Sequence, residues 1–374
     1  MMKKILKQYD LPILLSLTLL PLLSIILTPI YIYYNGIVWQ EPVMLFIGWF
    51  LAGTGITVGY HRLFSHRAFK TYPFVEWIYM FFGSMALQNT ILNWCSDHRR
   101  HHKKLDTKDD PYSIKKGFFH AHIGWVVKKG NQIIENVSDL EKKSAIKFQN
   151  KYYWPMSISF SFILPILLGM IYGRPLGGLI WGGILRVTFV HHFTFFINSF
   201  CHLIGKKTYD INTSARDSWI MALFTFGEGY HNFHHKFQWD YRNGIRWYNF
   251  DPSKWIINFL SFFKIAFNLR KASSHSIVSA KLETLNKKIQ EISLDSIYND
   301  KIKKITNDAM HYLKLLKELE VKCLINKKKY LSSYEKINYS NSRKKYEKKL
   351  EELLGSLMII LYNLKNKVNQ SHSI

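Results

Sequence analysis

Nine of the sixteen histidines lie in four short groups whose spacing suits metal binding. They are His61 and His66 in HRLFSH; His98, His101 and His102 in HRRHH; His202 in NSFCH; and His231, His234 and His235 in HNFHH. Spacings of three and four residues place the three imidazoles of a group on one face of a helix. Nine neutral imidazoles can supply four or five nitrogen ligands to each of two metal ions. Imidazole suits Fe, Cu, Zn and Ni alike, so the ligand type leaves the metal open.

This ligand set differs from two common kinds of metal site. A structural zinc site is usually closed by four ligands, often cysteines, and the three cysteines here are far apart and form no CxxC motif. The di-iron sites of soluble four-helix bundles are rich in glutamate ligands. Here the acidic residues Glu228 and Asp97 flank histidine groups, and we expect them to accept hydrogen bonds from imidazole N–H groups.

Four apolar segments predict an all-α integral membrane protein, with four transmembrane helices that carry a cytosolic helical cap and its histidine-rich dimetal site. The segments are residues 11–34, 42–60, 154–173 and 176–198. About 20 apolar residues cross the hydrocarbon core of a bilayer, and short turns join the segments into two hairpins. The chain is 48% hydrophobic, with these residues collected into blocks. This composition excludes a disordered chain and argues against an ordinary soluble domain.

The basic residues predict the orientation in the membrane. Three lysines (Lys3, Lys4 and Lys7) precede the first segment, residues 60–151 contain 16 Lys+Arg, and the chain after residue 199 contains 30. The turn inside the first hairpin has none, and the turn inside the second has only Arg174. Positive residues favour the cytosolic side, so both termini and the histidine groups are predicted to be cytosolic.

Residues 73–94 are apolar but contain Glu76, Gln88 and Asn89. We expect one helix that lies in or near the membrane interface rather than a fifth span. Three other features favour structural roles over functional ones. The glycines of GTGITVG (Gly53, Gly55, Gly59) indicate close helix packing. His191 and His192 are expected to form hydrogen bonds between helices. His120 and His122 are left outside the site.

The last part of the chain has a different composition. Residues 271–374 contain 21 Lys+Arg and 11 Asp+Glu, with Leu and Ile at intervals of three and four residues. This pattern is typical of amphipathic helices. We therefore expect a membrane domain with its cap over residues 1–270 and a basic helical tail over 271–374. The tail favours an anionic lipid surface or a partner protein over nucleic acid.

The histidine motifs also carry a family resemblance. HRLFSH, then DHRRHH followed by DDP and GFFHAHIGW, then INSFCHLIG, then GEGYHNFHHKFQWDYRNGIRW occur in this order. Together they resemble the membrane-bound acyl-CoA desaturases of the stearoyl delta-9 type, most closely the bacterial and fungal branch. The resemblance covers about residues 10–270 and includes the four-span layout. No HPGG haem-binding motif follows, so the fused cytochrome b5 domain of the fungal enzymes is expected to be absent.

The resemblance implies a di-iron centre that activates O2 and removes two hydrogens from an acyl chain. It implies that all nine histidines are iron ligands and that Asn198 holds a water at the second iron. It also points to Asn89, Asp97 and Arg99 as contacts for the substrate headgroup. Electrons would come from a separate ferredoxin- or cytochrome b5-like donor with its reductase.

The predicted function is therefore desaturation of a saturated long-chain fatty acyl thioester at the delta-9 position. The carrier of the acyl chain stays open between CoA, acyl carrier protein and a membrane lipid. A fatty acyl hydroxylase on the same di-iron scaffold is one alternative, because hydrogen abstraction precedes either outcome. A membrane metal transporter or sensor is a second, although the spans contain few ionisable residues beyond Arg186, His191 and His192.

Overall fold

The computed structural model describes residues 8–128, 133–292, 298–326 and 333–371. Lys3, Lys4 and Lys7, which entered the orientation argument, lie outside the described residues. The described chain is mostly helical, and its one strand pair joins Lys70–Thr71 to Ala266–Phe267. It divides into two compact units. The first comprises Met1–Gly205 and Ser214–Lys271, and the second comprises Lys206–Thr213 and Ala272–Ile374.

Four helices of the first unit are long and apolar enough to cross a membrane, as predicted. They are Leu11–Asn35, Gln40–Ser65, Ser144–Ile171 and Pro175–His202, called here the first to fourth spans. The second and fourth spans continue beyond their apolar segments to the histidines. The third begins ten residues earlier than predicted, at Ser144 instead of 154. These extensions are helical because packing inside the cap replaces contact with lipid: every residue of Gly55–Ser65 is buried.

A buried carboxylate ties the two hairpins together at the end of the spans far from the histidines. Glu41 is fully buried, and its Oε1 accepts a hydrogen bond of 2.6 Å from the Tyr31 hydroxyl. Nη1 of Arg174 lies 3.6 Å from the same oxygen. Its Nη2 donates to the carbonyl of Asn35 at 2.7 Å. Arg174, the one basic residue in the two turns, therefore carries a compensated charge.

The prediction of one continuous helix over residues 73–94 is wrong. The structure has two helices, Pro73–Ser84 (the descending helix) and Ile91–Lys104 (the ascending helix), separated by a break at residues 85–90. Leu87 and Asn89 have φ of 54° and 75°, which a right-handed helix does not accommodate. Thr90 then caps the ascending helix by accepting from the backbone N–H of Asn93.

The descending helix enters the membrane region beside the second span. A Cβ added at Gly55 would overlap the backbone of Gly83, and one at Gly59 would touch Tyr79. The two helices are therefore antiparallel and in close contact, as expected for the GTGITVG glycines. Gly55 lies ten positions before the end of the second span at Ser65. The break beyond Gly83 therefore lies beside the apolar part of the second span, and the two helices form a hairpin, called here the re-entrant hairpin.

Short elements outside the spans and the re-entrant hairpin complete the first unit. They are the helices Trp219–Phe224, His231–Lys236 and Pro252–Phe262, and between the hairpins the single turns Ile114–Lys116 and His120–Gly124. The second unit contains the helices Ser274–Ile292, Asn299–Asn326 and Ser333–Ser371. Their leucines at helical spacing, including Leu313, Leu316, Leu350 and Leu357, pack into a core of their own.

We expect Gly55→Ala to destabilise the protein by about 3 kcal/mol, because the added methyl group overlaps the Gly83 backbone and cannot be relieved by a rotamer change. The thermal midpoint of the detergent-solubilised protein measures this loss. Gly355→Ala is the matched control, since no atom lies within 4 Å of its Cβ and alanine favours a helix by about 1 kcal/mol over glycine. A Gly55→Ala variant as stable as the parent would contradict the close packing.

Candidate metal centre

The nine predicted histidines come together in the first unit as two groups. The first group is His61, His66, His98, His102 and His234; the second is His101, His202, His231 and His235. Within each group, one nitrogen from every ring lies within 4.8 Å of the others. The groups adjoin, since the rings of His102 and His235 stack with centroids 4.3 Å apart. Two metal ions held here would be close neighbours.

Helical spacing decides which ring joins which group. Residues four apart share a group: His98 with His102 on the ascending helix, and His231 with His235 on His231–Lys236. The third histidine of each helix, His101 or His234, points to the opposite group. The two helices therefore exchange one ligand each. Because both contribute to both groups, neither metal position can form without the other helix.

Protein groups hold the outer nitrogens of four rings. Nδ1 of His61 lies 3.0 Å from Oε2 of Glu228, and Nδ1 of His101 lies 2.8 Å from Oδ1 of Asp110. Nδ1 of His98 is 3.1 Å from the Tyr112 hydroxyl, and Nδ1 of His202 is 2.7 Å from Oγ of Ser214. These contacts fix the ring orientation and aim Nε2 inward.

Of these four partners, the sequence patterns indicate one. Glu228 lies against His61, with its Oε2 3.0 Å from Nδ1 of the ring, whereas Asp97 contacts Arg100 instead of an imidazole. Asp110, Tyr112 and Ser214 lie in loops, and helical spacing gives no indication of them. The one available signal was the DDP motif, whose second aspartate is Asp110.

Burial keeps several of these imidazoles neutral. Burial lowers the pKa of His98, His102 and His234 well below the usual range, and neighbouring imidazoles lower it further. These rings are neutral at pH 7, which is the form that binds metal. Burial alone would raise the pKa of Glu228, but His61 and Arg62 hold it below its usual range. Glu228 is thus a carboxylate, with Arg62 Nη2 at 2.9 Å from its Oε1.

The inward nitrogens fit a pair of transition-metal ions. Nε2 of His66 lies 2.8 Å from Nε2 of His98, and Nε2 of His231 lies 3.0 Å from that of His235. Nε2 of His101 is buried and has no hydrogen-bond partner in the described chain. Such a concentration of buried, neutral nitrogen atoms is costly unless they coordinate cations. The described ligand set contains nitrogen donors only, which suits Fe, Cu, Zn or Ni.

A cavity of about 900 Å³ reaches both histidine groups. Its walls are mostly apolar, and they include Leu20 of the first span, Ile56 of the second and Phe162 of the third. The rings of His61 and His101 border it. Its volume lies at the upper end of ordinary ligand pockets, which run from about 300 to 1,000 Å³. The cavity suits a long apolar ligand whose chain passes the metal positions.

Three of the remaining predicted site residues line this cavity: Asn198, Asn89 and Asp97. Asn198 lies one helical turn before His202. Asn89 has its side-chain oxygen engaged by the Thr90 N–H and by the Asn93 amide. Burial raises the pKa of Asp97 to about 7, although its ion pair with Arg100 acts in the opposite direction.

Arg99 has a different environment from the one predicted. It donates two hydrogen bonds to the carboxylate of Asp139 and three to the carbonyls of Phe64, Ser65 and Asn136. These five bonds equal the five N–H donors of a guanidinium. No donor remains for a substrate headgroup. Arg99 instead holds the ascending helix against the segment that carries His66.

The other histidines stay outside the two groups, as expected. Nε2 of His191 lies 2.8 Å from the carbonyl oxygen of Ala86. Nδ1 of His192 lies 3.0 Å from Nε2 of His122, so both histidines of the fourth span bond to other elements. His120 contacts the carbonyl of Pro111.

We expect Asp110→Asn to weaken metal binding in the second group about 10- to 100-fold, the usual cost of removing the outer partner of a ligating histidine. Plasma mass spectrometry of protein dialysed against a weak chelator measures the metal retained per chain. The control is the neighbouring Asp109→Asn, because the Asp109 side chain is 70% exposed and its one ion pair among the described residues is with Lys104 at 3.5 Å. Equal metal retention by both variants would show that Asp110 does not orient a ligand.

Comparisons with known proteins agree with this geometry. The family model described as fatty acid desaturase matches residues 38–258, a segment that contains all nine histidines. A probable acyl-CoA desaturase of Schizosaccharomyces pombe is 43% identical over 235 residues, which are 60% of this chain and 48% of the relative. Stearoyl-CoA desaturase 5 of Bos taurus is 35% identical over 255 residues, 65% of this chain and 76% of the relative.

A cyanobacterial relative, the sn-1 stearoyl-lipid 9-desaturase of Synechocystis, is 36% identical over 236 residues, 62% of this chain and 72% of the relative. The chain spans about half the length of the fungal relative. The matched segment holds the second to fourth spans, the re-entrant hairpin and both histidine groups. The chain belongs to the fatty acid desaturase family.

Proposed function

We propose that the protein is a di-iron, O2-dependent desaturase that inserts a cis double bond into a saturated long-chain fatty acyl thioester, at the delta-9 position. The observation that carries the proposal is the pair of adjacent histidine groups bordering an apolar cavity of about 900 Å³. An unactivated methylene group can be oxidised only beside a strongly oxidising metal site that excludes water. The histidine groups offer ligands for such metal ions, and the apolar walls of the cavity would keep water away from the bound chain.

The metal we propose is iron, held by the nine histidines, with Asn198 contacting one iron through a water. Two bound irons would supply the oxidising equivalents that O2 brings to a C–H bond. The chain's own residues then have three tasks. Glu228, Asp110, Tyr112 and Ser214 keep the imidazoles oriented. Apolar walls exclude water from the reacting carbons, and the cavity holds the chain beside the site.

The position of the double bond would depend on the distance from an anchored headgroup to the irons. Asn89 and Asp97, on the cavity wall, are the headgroup contacts that we propose. The names of the relatives support acyl-CoA and stearoyl substrates, and one names a 9-desaturase acting on a lipid. We propose acyl-CoA as the carrier of the acyl chain. The test decides between it and two alternatives, acyl carrier protein and a membrane lipid.

We also propose that both termini and the metal site face the cytosol. The count of basic residues supports this orientation. The two turns near Asn35 and Arg174 contain one basic residue, and nearly all other lysines and arginines lie on the opposite side of the spans. A cytosolic site would receive electrons from a separate ferredoxin- or cytochrome b5-like donor with its reductase.

The test of the proposed function is the fatty acid profile of a host that lacks its own desaturase and carries a matching electron donor. Expression of the protein is expected to produce a cis monoene. Mass spectrometry of the derivatised products should place the double bond at carbon 9. A hydroxy acid in place of the monoene would overturn desaturation in favour of a hydroxylase.

His98→Ala and His234→Ala are expected to abolish the monoene, because each removes a nitrogen from the first group. His120→Ala is the control, since His120 bonds only to a carbonyl outside both groups. Metal uptake by the same cells separates the enzyme from a transporter. Unchanged unsaturation with altered metal flux would contradict the proposal.

The orientation is tested by labelling cysteines in sealed vesicles with an impermeant maleimide. Cys95 and Cys201 are buried, which leaves Cys323 as the partly exposed thiol. We expect Cys323 to react in inside-out vesicles alone. Tyr34→Cys combined with Cys323→Ser should react in right-side-out vesicles alone, since Tyr34 is 78% exposed at the end of the first span, next to the first turn. The reverse pattern would invert the orientation.

A further inference from the structure

The break in the re-entrant hairpin frees backbone N–H and C=O groups from helical hydrogen bonds beside the apolar parts of the spans. Non-helical backbone at membrane depth persists only when protein groups satisfy its N–H and C=O groups. The N–H of Asn89 contacts the Tyr153 hydroxyl at 2.7 Å, and the N–H of Ile91 donates to the Gln149 side chain at 2.8 Å. The third span thus satisfies the amide side of the break.

The fourth span satisfies the carbonyl side. Arg186 is fully buried, and Nη1 of its guanidinium donates to the carbonyl of Met85. Its Nη2 donates to the carbonyl of Ser161 at 3.2 Å, and its Nε to that of Gly182 at 3.0 Å. Its partners in the described chain are three carbonyls. A cation placed among carbonyl oxygens at a helix C-terminus also interacts favourably with the helix dipole.

Two more side chains of the same span reach the break. His191 contacts the carbonyl of Ala86, and Oγ1 of Thr194 accepts from the Gln88 side chain at 2.9 Å. From the third span, the Ser161 hydroxyl donates to the Met85 carbonyl at 3.0 Å. The break is therefore held in a fixed relation to the span that also carries Asn198 and His202.

The held segment forms part of the cavity wall. Leu87, Gln88, Asn89 and Thr90 all line the cavity, and Leu87 and Asn89 hold positive φ angles. Strained backbone of this kind persists only where surrounding contacts determine it. A displacement of this segment would move the cavity wall, while the contacts that hold the outer nitrogens of the histidines lie elsewhere in the cap.

We propose that Arg186 is a positioning residue that sets, through Met85–Thr90, which carbon of the acyl chain lies beside the metal centre. The inference rests on the proposed function. Arg186 does not line the cavity and belongs to neither histidine group, so any effect on the acyl chain passes through the segments whose carbonyls it bonds. Intramembrane cations are costly and are kept where they are needed.

The first test is independent of activity. Arg186→Lys keeps the charge but cannot serve three carbonyls with the same planar geometry. We expect amide hydrogen exchange in residues 87–91 to rise about tenfold, the factor for losing one hydrogen bond to a charged group. Thr188→Val is the matched control in the same span, because Thr188 pairs with Ser24 of the first span at 2.8 Å. Its exchange over residues 87–91 should equal that of the parent.

The second test is the distribution of products. Arg186→Lys is expected to lower the share of the main monoene and to produce positional isomers beside it, while Thr188→Val keeps the parental ratio. If Arg186→Lys fails to fold, Ser161→Ala removes a milder contact to the same Met85 carbonyl and should change both readouts in the same direction.

The outcomes separate the two proposals. Unchanged exchange in both Arg186→Lys and Ser161→Ala would overturn the anchoring role whatever the reaction is. Raised exchange with an unchanged isomer ratio and a lower yield would overturn the positioning role and leave the desaturase. A parent protein that yields no monoene with a competent donor would overturn the proposed function and, with it, the positioning role.

Discussion

Nine imidazole rings can share a small buried volume only if their orientation is imposed from outside the cluster. Glu228, Asp110, Tyr112 and Ser214 impose it by contacting the outer nitrogens. These partners come from three loops of the cap, with Asp110 and Tyr112 in the same one. The cap must therefore bring loops and helices together around the ends of two spans, and much of the first unit serves this requirement.

The membrane adds a second constraint. The second and fourth spans cross the bilayer and continue into the cap, so their last turns bury histidines instead of meeting lipid. The re-entrant hairpin fills the space beside them, and its break opens a wall of the cavity. Every backbone group freed by that break needs a protein partner, which explains why Arg186 and His191 lie inside a membrane span.

Local patterns predicted the four spans and the histidine groups, because length, hydropathy and helical spacing are properties of short segments. They also predicted Glu228, which lies near His231 in sequence. They could not predict Asp110 or Ser214, whose roles depend on distant loops meeting. The break at residues 85–90 was missed because neither Leu87 nor Asn89 requires a positive φ by itself. Arg99 was misread because its partner Asp139 lies forty residues away.

The proposed function requires two irons bound by the histidine nitrogens. X-ray absorption at the iron edge of the purified protein, combined with metal analysis, tests it most directly. We predict two irons per chain, a first coordination shell of nitrogen and oxygen only, and outer-shell scattering from four or five imidazoles per iron. One metal per chain, a metal other than iron, or sulfur in the first shell would contradict the account.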